Sequence, residues 1–157
     1  TAMPLPQNGI SFAAAPGIQQ PGHLRQIDGG TFWPDTDLDQ MRLSCRIDNT
    51  VTPERLFQAA GEAAAETRRQ LSALTRRHSS LNDVQTAGQT DPAERYRAAV
   101  YAYTKALLLE QYADYDAAGK AGTLAEAKTA QARAERRNGH YAVADLLGHY
   151  RNDCELV

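Results

Sequence analysis

The chain has 157 residues and a formal net charge of −2, from 17 Lys+Arg against 19 Asp+Glu, which suits one domain and argues against bulk electrostatic attraction to nucleic acid. Ala accounts for 27 residues and Leu for 15, whereas Val and Ile together number 9, so strand formers are too scarce for an all-β or doubly wound α/β protein. Leu, Ile, Val and Phe total 27 residues, a thin core that, without high net charge, reads as an Ala-rich helical domain relying on neighbours to complete its burial.

Residues 1–30 hold four of the seven prolines and five of the eleven glycines, and no Lys, Arg, Asp or Glu precedes Arg25. This composition predicts an extended arm with Ile10, Phe12, Ile18, Leu24 and Ile27 available to dock on a surface. A short helix is expected around Asp37 to Ile47, with Leu38, Met41 and Cys45 on one side and Asp37 or Thr36 as its cap. Thr52-Pro53-Glu54 is a clear helix start, and Leu56, Ala60, Ala63, Thr67, Leu71 and Leu74 continue a stripe to about His78. Ser79 to Gln89 read as a loop. Asp91-Pro92 opens another helix, to about Ala118, that is apolar on several sides: Tyr96, Val100, Tyr103 and Leu107 on one, Tyr101, Leu108, Tyr112 and Tyr115 on a second. Gly119 and Gly122 end it. Thr123 and Glu126 form a capping box for the next helix, whose residues 124–137 carry one large apolar side chain, Leu124, and so should face solvent or line a channel. Asn138-Gly139 marks a break, Tyr141 to Tyr150 restore apolar content, and residues 151–157 form a short tail. The expectation is a mainly α protein: an N-terminal arm (1–30), a bundle of about four helices (31–150) and a C-terminal tail (151–157).

Chemistry-bearing patterns are sparse. No Gly-rich phosphate loop is present, and no stretch approaches the roughly 20 apolar residues that span a bilayer. The N-terminus lacks the basic segment and long apolar run of a secretory signal. His140, Asp145, His149 and Cys154 match no zinc spacing, and Cys45 has no histidine nearby in sequence, so neither a metal, a cofactor nor a catalytic residue is assigned. Arg68-Arg69 and Arg76-Arg77 on one helix, and Arg133, Arg136 and Arg137 on another, are interleaved with acids at helical spacing. Alone such patches mean little; repeated around a ring, the second set can line a DNA passage.

Phe32-Trp33-Pro34-Asp35-Thr36-Asp37, followed after a fixed interval by Thr50-Val51-Thr52-Pro53-Glu54-Arg55-Leu56, resembles the head-completion protein family (gpL) of temperate contractile-tailed phages. The Tyr-rich helix ending Glu110-Gln111-Tyr112, the glycine break, the capped helix and the short tail keep the same order, so the resemblance covers about residues 31–157. It implies a mostly helical, non-enzymatic head-tail connector. Such a protein adds to the dodecameric portal after DNA packaging, stabilises the filled head and supports attachment of the tail through a tail-terminator or other neck proteins. The implied location is the portal vertex of the virion, with assembly in the host cytoplasm and no membrane involvement. Under this reading the tail residues Arg151, Asn152, Asp153, Glu155, Leu156 and Val157 engage the portal. Phe32, Trp33, Tyr101, Leu108, Tyr112 and Tyr115 are candidates for contact between subunits, and Arg133, Arg136 and Arg137 face packaged DNA. The Phe32-Trp33 pair can equally be an intrachain staple, because Pro34 keeps Trp33 out of helix. The alternative function is a small helical nucleic-acid-binding regulator or packaging accessory protein that uses Arg68, Arg69, Arg76 and Arg77.

Overall fold

The computed structural model describes residues 17–119 and 122–149. Five α-helices dominate: α1 Leu38–Ser44, α2 Pro53–Gln70, α3 Ser72–Arg77, α4 Pro92–Ala118 and α5 Gly122–Leu146. Two short strands, β1 Gln26–Ile27 and β2 Thr36–Asp37, pair antiparallel with Gln26 opposite Asp37 and Ile27 opposite Thr36. The expected mainly α bundle is what forms.

Local sequence sets most helix starts. The Asp37 carboxylate accepts from Gln40 N at α1, the Thr52 hydroxyl from Arg55 N at α2, and the Asp91 carboxylate from Ala93 N at α4. Pro53 and Pro92 occupy the first helical positions, where a missing N–H costs nothing. The α5 helix begins at Gly122, one residue before its expected cap, a shift within the usual uncertainty of helix ends.

Three expectations are corrected. The helix predicted from Thr52 through His78 breaks at Leu71, whose φ of −100° and ψ of 13° separate α2 from α3. In the preceding turn, buried Thr67 returns its hydroxyl to Ala63 O at 2.8 Å, a bond that bends helices. The turn lets both Leu71 and Leu74 reach the core. Asn138-Gly139 does not interrupt α5, because Gly139 lies buried against the Tyr103 ring and packing outweighs low helix propensity. Part of the predicted arm, residues 17–30, is folded onto the bundle. The buried Gln20 side chain donates to Leu24 O at 2.7 Å and Pro53 O at 3.1 Å and accepts from Arg42 Nη2 at 3.2 Å. Its Nε2 and Oε1 thus tie this segment to α1 and α2. The remainder of the arm and the 151–157 tail lie outside the described residues.

The aromatic-Pro-Asp element closes a turn. Asp35 Oδ1 accepts from Gly29 N at 2.7 Å, and Asp35 Oδ2 from Gln26 Nε2 at 2.9 Å. Gly29 is required there, since a Cβ would fall 1.9 Å from Trp33 O. The turn drives Trp33 onto Tyr96, their rings stacked at 4.8 Å and 19°, with Phe32 edge-on to Trp33 at 4.7 Å. Around this pair the core is built from Leu38, Met41, Leu56, Leu71, Val100 and Tyr103, with Ala59, Ala60, Ala63 and Ala64 of α2 and Ala99 of α4 filling the helix contacts.

Candidate functional site

The most extended feature of the fold is the antiparallel hairpin of α4 and α5. Its 27- and 25-residue helices outrun the 18-residue α2. At ~1.5 Å per residue α4 spans about 40 Å and α2 about 27 Å. Tyr112 marks the level where α2 begins, since its hydroxyl donates to Thr50 O at 3.2 Å. Beyond that level, among the described residues, α4 and α5 form a tip packed chiefly on each other.

Ion pairs rivet the hairpin along its length. Arg95 meets Asp145 at 3.5 Å, Lys105 meets Glu135 at 3.8 Å, Arg136 forks onto Glu110 at 2.6 and 2.7 Å, and Lys128 meets Asp116 at 2.5 Å. The hydrogen bond from Arg136 holds the Glu110 carboxyl below its ordinary range and raises the guanidinium in turn. Between these pairs, Tyr103 OH contacts His140 Nδ1 at 2.9 Å and donates to Gln70 Oε1 at 3.3 Å, joining α5 to α4 and α2.

The six residues considered for subunit contact are spread across the fold. Trp33 and Leu108 are buried in the chain's own core, and Phe32, Tyr101 and Tyr112 are half-buried. Tyr112 is further occupied by Arg55 and Lys128 on its ring, at 5.9 and 5.5 Å. Tyr115 alone of the six is open, at 77% exposure, and Leu124 across the tip is 50% exposed. Two other large apolar side chains are exposed away from the tip, Leu43 on α1 and Tyr141 on α5.

The basic residues divide just as unevenly. Arg136 is bound to Glu110, while Arg133 and Arg137 are exposed on α5. Arg68 donates to Tyr96 OH at 3.0 Å and to Asp28 O at 2.7 Å, and Arg69 pairs with Glu66. Arg69 is exposed despite its pairing, and Arg76 and Arg77 stay exposed on α3 past the break. Arg42 had no predicted role, yet it is buried and donates to Asp48 O at 2.9 Å and Val51 O at 3.0 Å, fixing the α1–α2 loop. Burial lowers its guanidinium pKa from the ordinary value. Nothing in a single-sequence pattern singles it out, because its acceptors are two backbone carbonyls and the distant Gln20 amide oxygen.

Two of the residues weighed for metal binding are otherwise engaged. His140 contacts Tyr103 and Asp145 pairs with Arg95. Cys154 lies outside the described residues, among which no group of three His, Cys, Asp or Glu side chains is placed to hold a metal ion. Burial pushes the Cys45 thiol up to about 11, so it is overwhelmingly protonated near neutral pH and a poor nucleophile. No helix among the described residues is long and apolar enough to cross a membrane.

Comparison with curated proteins and with solved structures gave no match. The family model for the phage head completion protein (GPL) matches residues 27–157, which takes in the aromatic-Pro-Asp turn, all five helices and the tail. The chain therefore belongs to the phage head completion protein (GPL) family, a structural component of the phage head found in the virion and in contact with other head or tail proteins.

Proposed function

We propose that the chain is a head-tail connector that docks as a ring on the portal after DNA packaging, stabilises the filled head and provides the platform for tail attachment. The observation that carries this reading is the hairpin tip. In a chain of the head completion family, Tyr115 and Leu124 are held out on a riveted stem that the rest of the fold does not cover. A neighbouring copy in a closed ring would bury such side chains, and the portal's symmetry would set the number of copies, twelve for a dodecameric portal. In this reading residues 151–157 engage the portal, and Arg133 and Arg137 are the α5 cations free to approach DNA passing through the ring. Arg136, tied to Glu110, would serve the hairpin instead. The outer face would receive a tail-terminator or another neck protein. Assembly would take place in the host cytoplasm, and the ring would end at the portal vertex.

The test is reconstitution with purified portal, imaged by electron microscopy. A ring of additional density on the portal is expected. Deleting residues 151–157 should abolish association while leaving the helical circular dichroism unchanged; undiminished association refutes the tail's role. Failure to bind portal, together with steeply salt-dependent binding of duplex DNA by the chain alone, would favour the regulator reading instead.

A further inference from the structure

An open groove of about 170 Å³ lies between the α1–α2 loop and the α4–α5 hairpin. Ile47 and Val51 wall it from the loop, and Leu108, Leu109 and Tyr112 from α4. Its rim carries Lys105 and Lys128, matched by Glu135 at 3.8 Å and Asp116 at 2.5 Å, and Arg46, which shares the rim with the Asp48 carboxylate. An acidic ligand would therefore gain little there. The fitting occupant is uncharged, apolar and small: a cavity of about 150 Å³ holds a benzene ring, so this groove matches one phenyl side chain.

The chain supplies such a group at the right place. Ile18 N donates to Asn49 Oδ1 at 3.3 Å, and Asn49 stands between Asp48 and Thr50, both on the groove's border. Gln20 N donates to Asp39 Oδ1 at 2.9 Å, so residues 18 to 20 are held on α1 and on the loop that borders the groove. Phe12 precedes Gly17 by five residues, a reach of about 17 Å when extended. It lies in a stretch of sequence with no Lys, Arg, Asp or Glu before Arg25, flanked by Ile10 and three alanines, Ala13, Ala14 and Ala15.

We propose that Phe12 docks in this groove of its own chain, so that the N-terminal segment covers the apolar surface between the α1–α2 loop and α4. The groove contains its own reporter, Cys45. In the full chain carrying C154S, Cys45 is the only thiol. Its alkylation by iodoacetamide, followed by mass spectrometry at one fixed pH, measures how often the groove is open. Replacing Phe12 with Ser should raise that rate about fivefold, as when a groove open one-fifth of the time becomes fully open. The rates should also be independent of protein concentration. An unchanged rate in F12S overturns the proposal. So does protection of Cys45 that grows with protein concentration, because it assigns the groove to a second copy. A photoreactive benzoyl-phenylalanine at position 12 gives an independent reading. Crosslinks to residues 47–51 and 105–112 within one chain support docking, and crosslinks confined to other regions refute it.

Discussion

Adding one methyl group at Gly139 tests the packing that fixes the hairpin. Gly139 is buried in the middle of α5, and a Cβ there would fall 2.4 Å from Tyr103 Cε1, 2.7 Å from Cδ1 and 2.8 Å from Cζ. The Tyr103 ring has little room to retreat, being 2% exposed with its hydroxyl held by His140 and Gln70. Overpacking of this kind costs about 1–3 kcal/mol, against a helix-propensity gain of about 1 kcal/mol for Gly to Ala, so G139A should lose up to about 2 kcal/mol. For a chain of this size that is a fall in Tm of up to about 8 °C. Gly61 in α2 is the control, since a Cβ there meets nothing within 4 Å. G61A should keep the propensity gain of up to about 1 kcal/mol and melt higher. Urea unfolding followed by circular dichroism measures both. If G139A is as stable as G61A, the close approach of α5 to Tyr103 is wrong.

Two further outcomes follow from the same contacts. Trp33 is stacked on Tyr96 in the core whereas Phe32 is half-buried, so W33A should cost about 3–5 kcal/mol in urea unfolding and F32A distinctly less; equal losses would refute the inward orientation of Trp33. The Glu110 carboxyl is held below 4.5 in the folded chain, chiefly by its hydrogen bond from Arg136, so the stability it contributes is present above that pH and is lost as pH falls through the folded value. The Tm of E110Q should accordingly fall less between pH 5 and pH 3 (roughly one unit either side of the ordinary glutamate value) than that of the unaltered chain.

What the sequence made legible were features set by nearby residues. Thr52-Pro53 and Asp91-Pro92 specify helix starts through a side-chain oxygen two or three residues from the N–H it serves, and both act as expected. Pro34 keeps Trp33 out of helix, and the aromatic pair forms the intrachain staple that was one of its two readings. The misreadings came where a distant partner decides. Gly139 looked like a break because its stabilising neighbour, Tyr103, is 36 positions away. The α2 stripe gave no sign of stopping because Leu71 and Leu74 hold the same spacing whether or not the helix turns between them. Gln20 reads from sequence as part of an extended arm with no assigned contact, because its partners, Arg42 and the Pro53 carbonyl, are polar groups with no periodic signature. The basic clusters were visible as composition, but Glu110 as the counterion of Arg136 depends on how α4 and α5 align.

That alignment also changes the meaning of the thin core. Twenty-seven alanines suggested burial left unfinished, yet Ala59, Ala60, Ala63, Ala64 and Ala99 sit inside the chain's own core. Small side chains let helices approach closely, and three large aromatics, Trp33, Tyr96 and Tyr103, supply much of the remaining volume. The proximal bundle is thus filled from within. At the far end of the hairpin, where α2 no longer reaches, Tyr115 and Leu124 stand exposed, as do Leu43 on α1 and Tyr141 further along α5. Ion pairs keep that end in register without apolar packing on a third side, and a pair such as Lys128–Asp116 tolerates water where a leucine contact would not. A stem held by charges and tipped with two uncovered apolar side chains still has surface to bury. That surface is what a neighbouring copy would cover in the proposed ring.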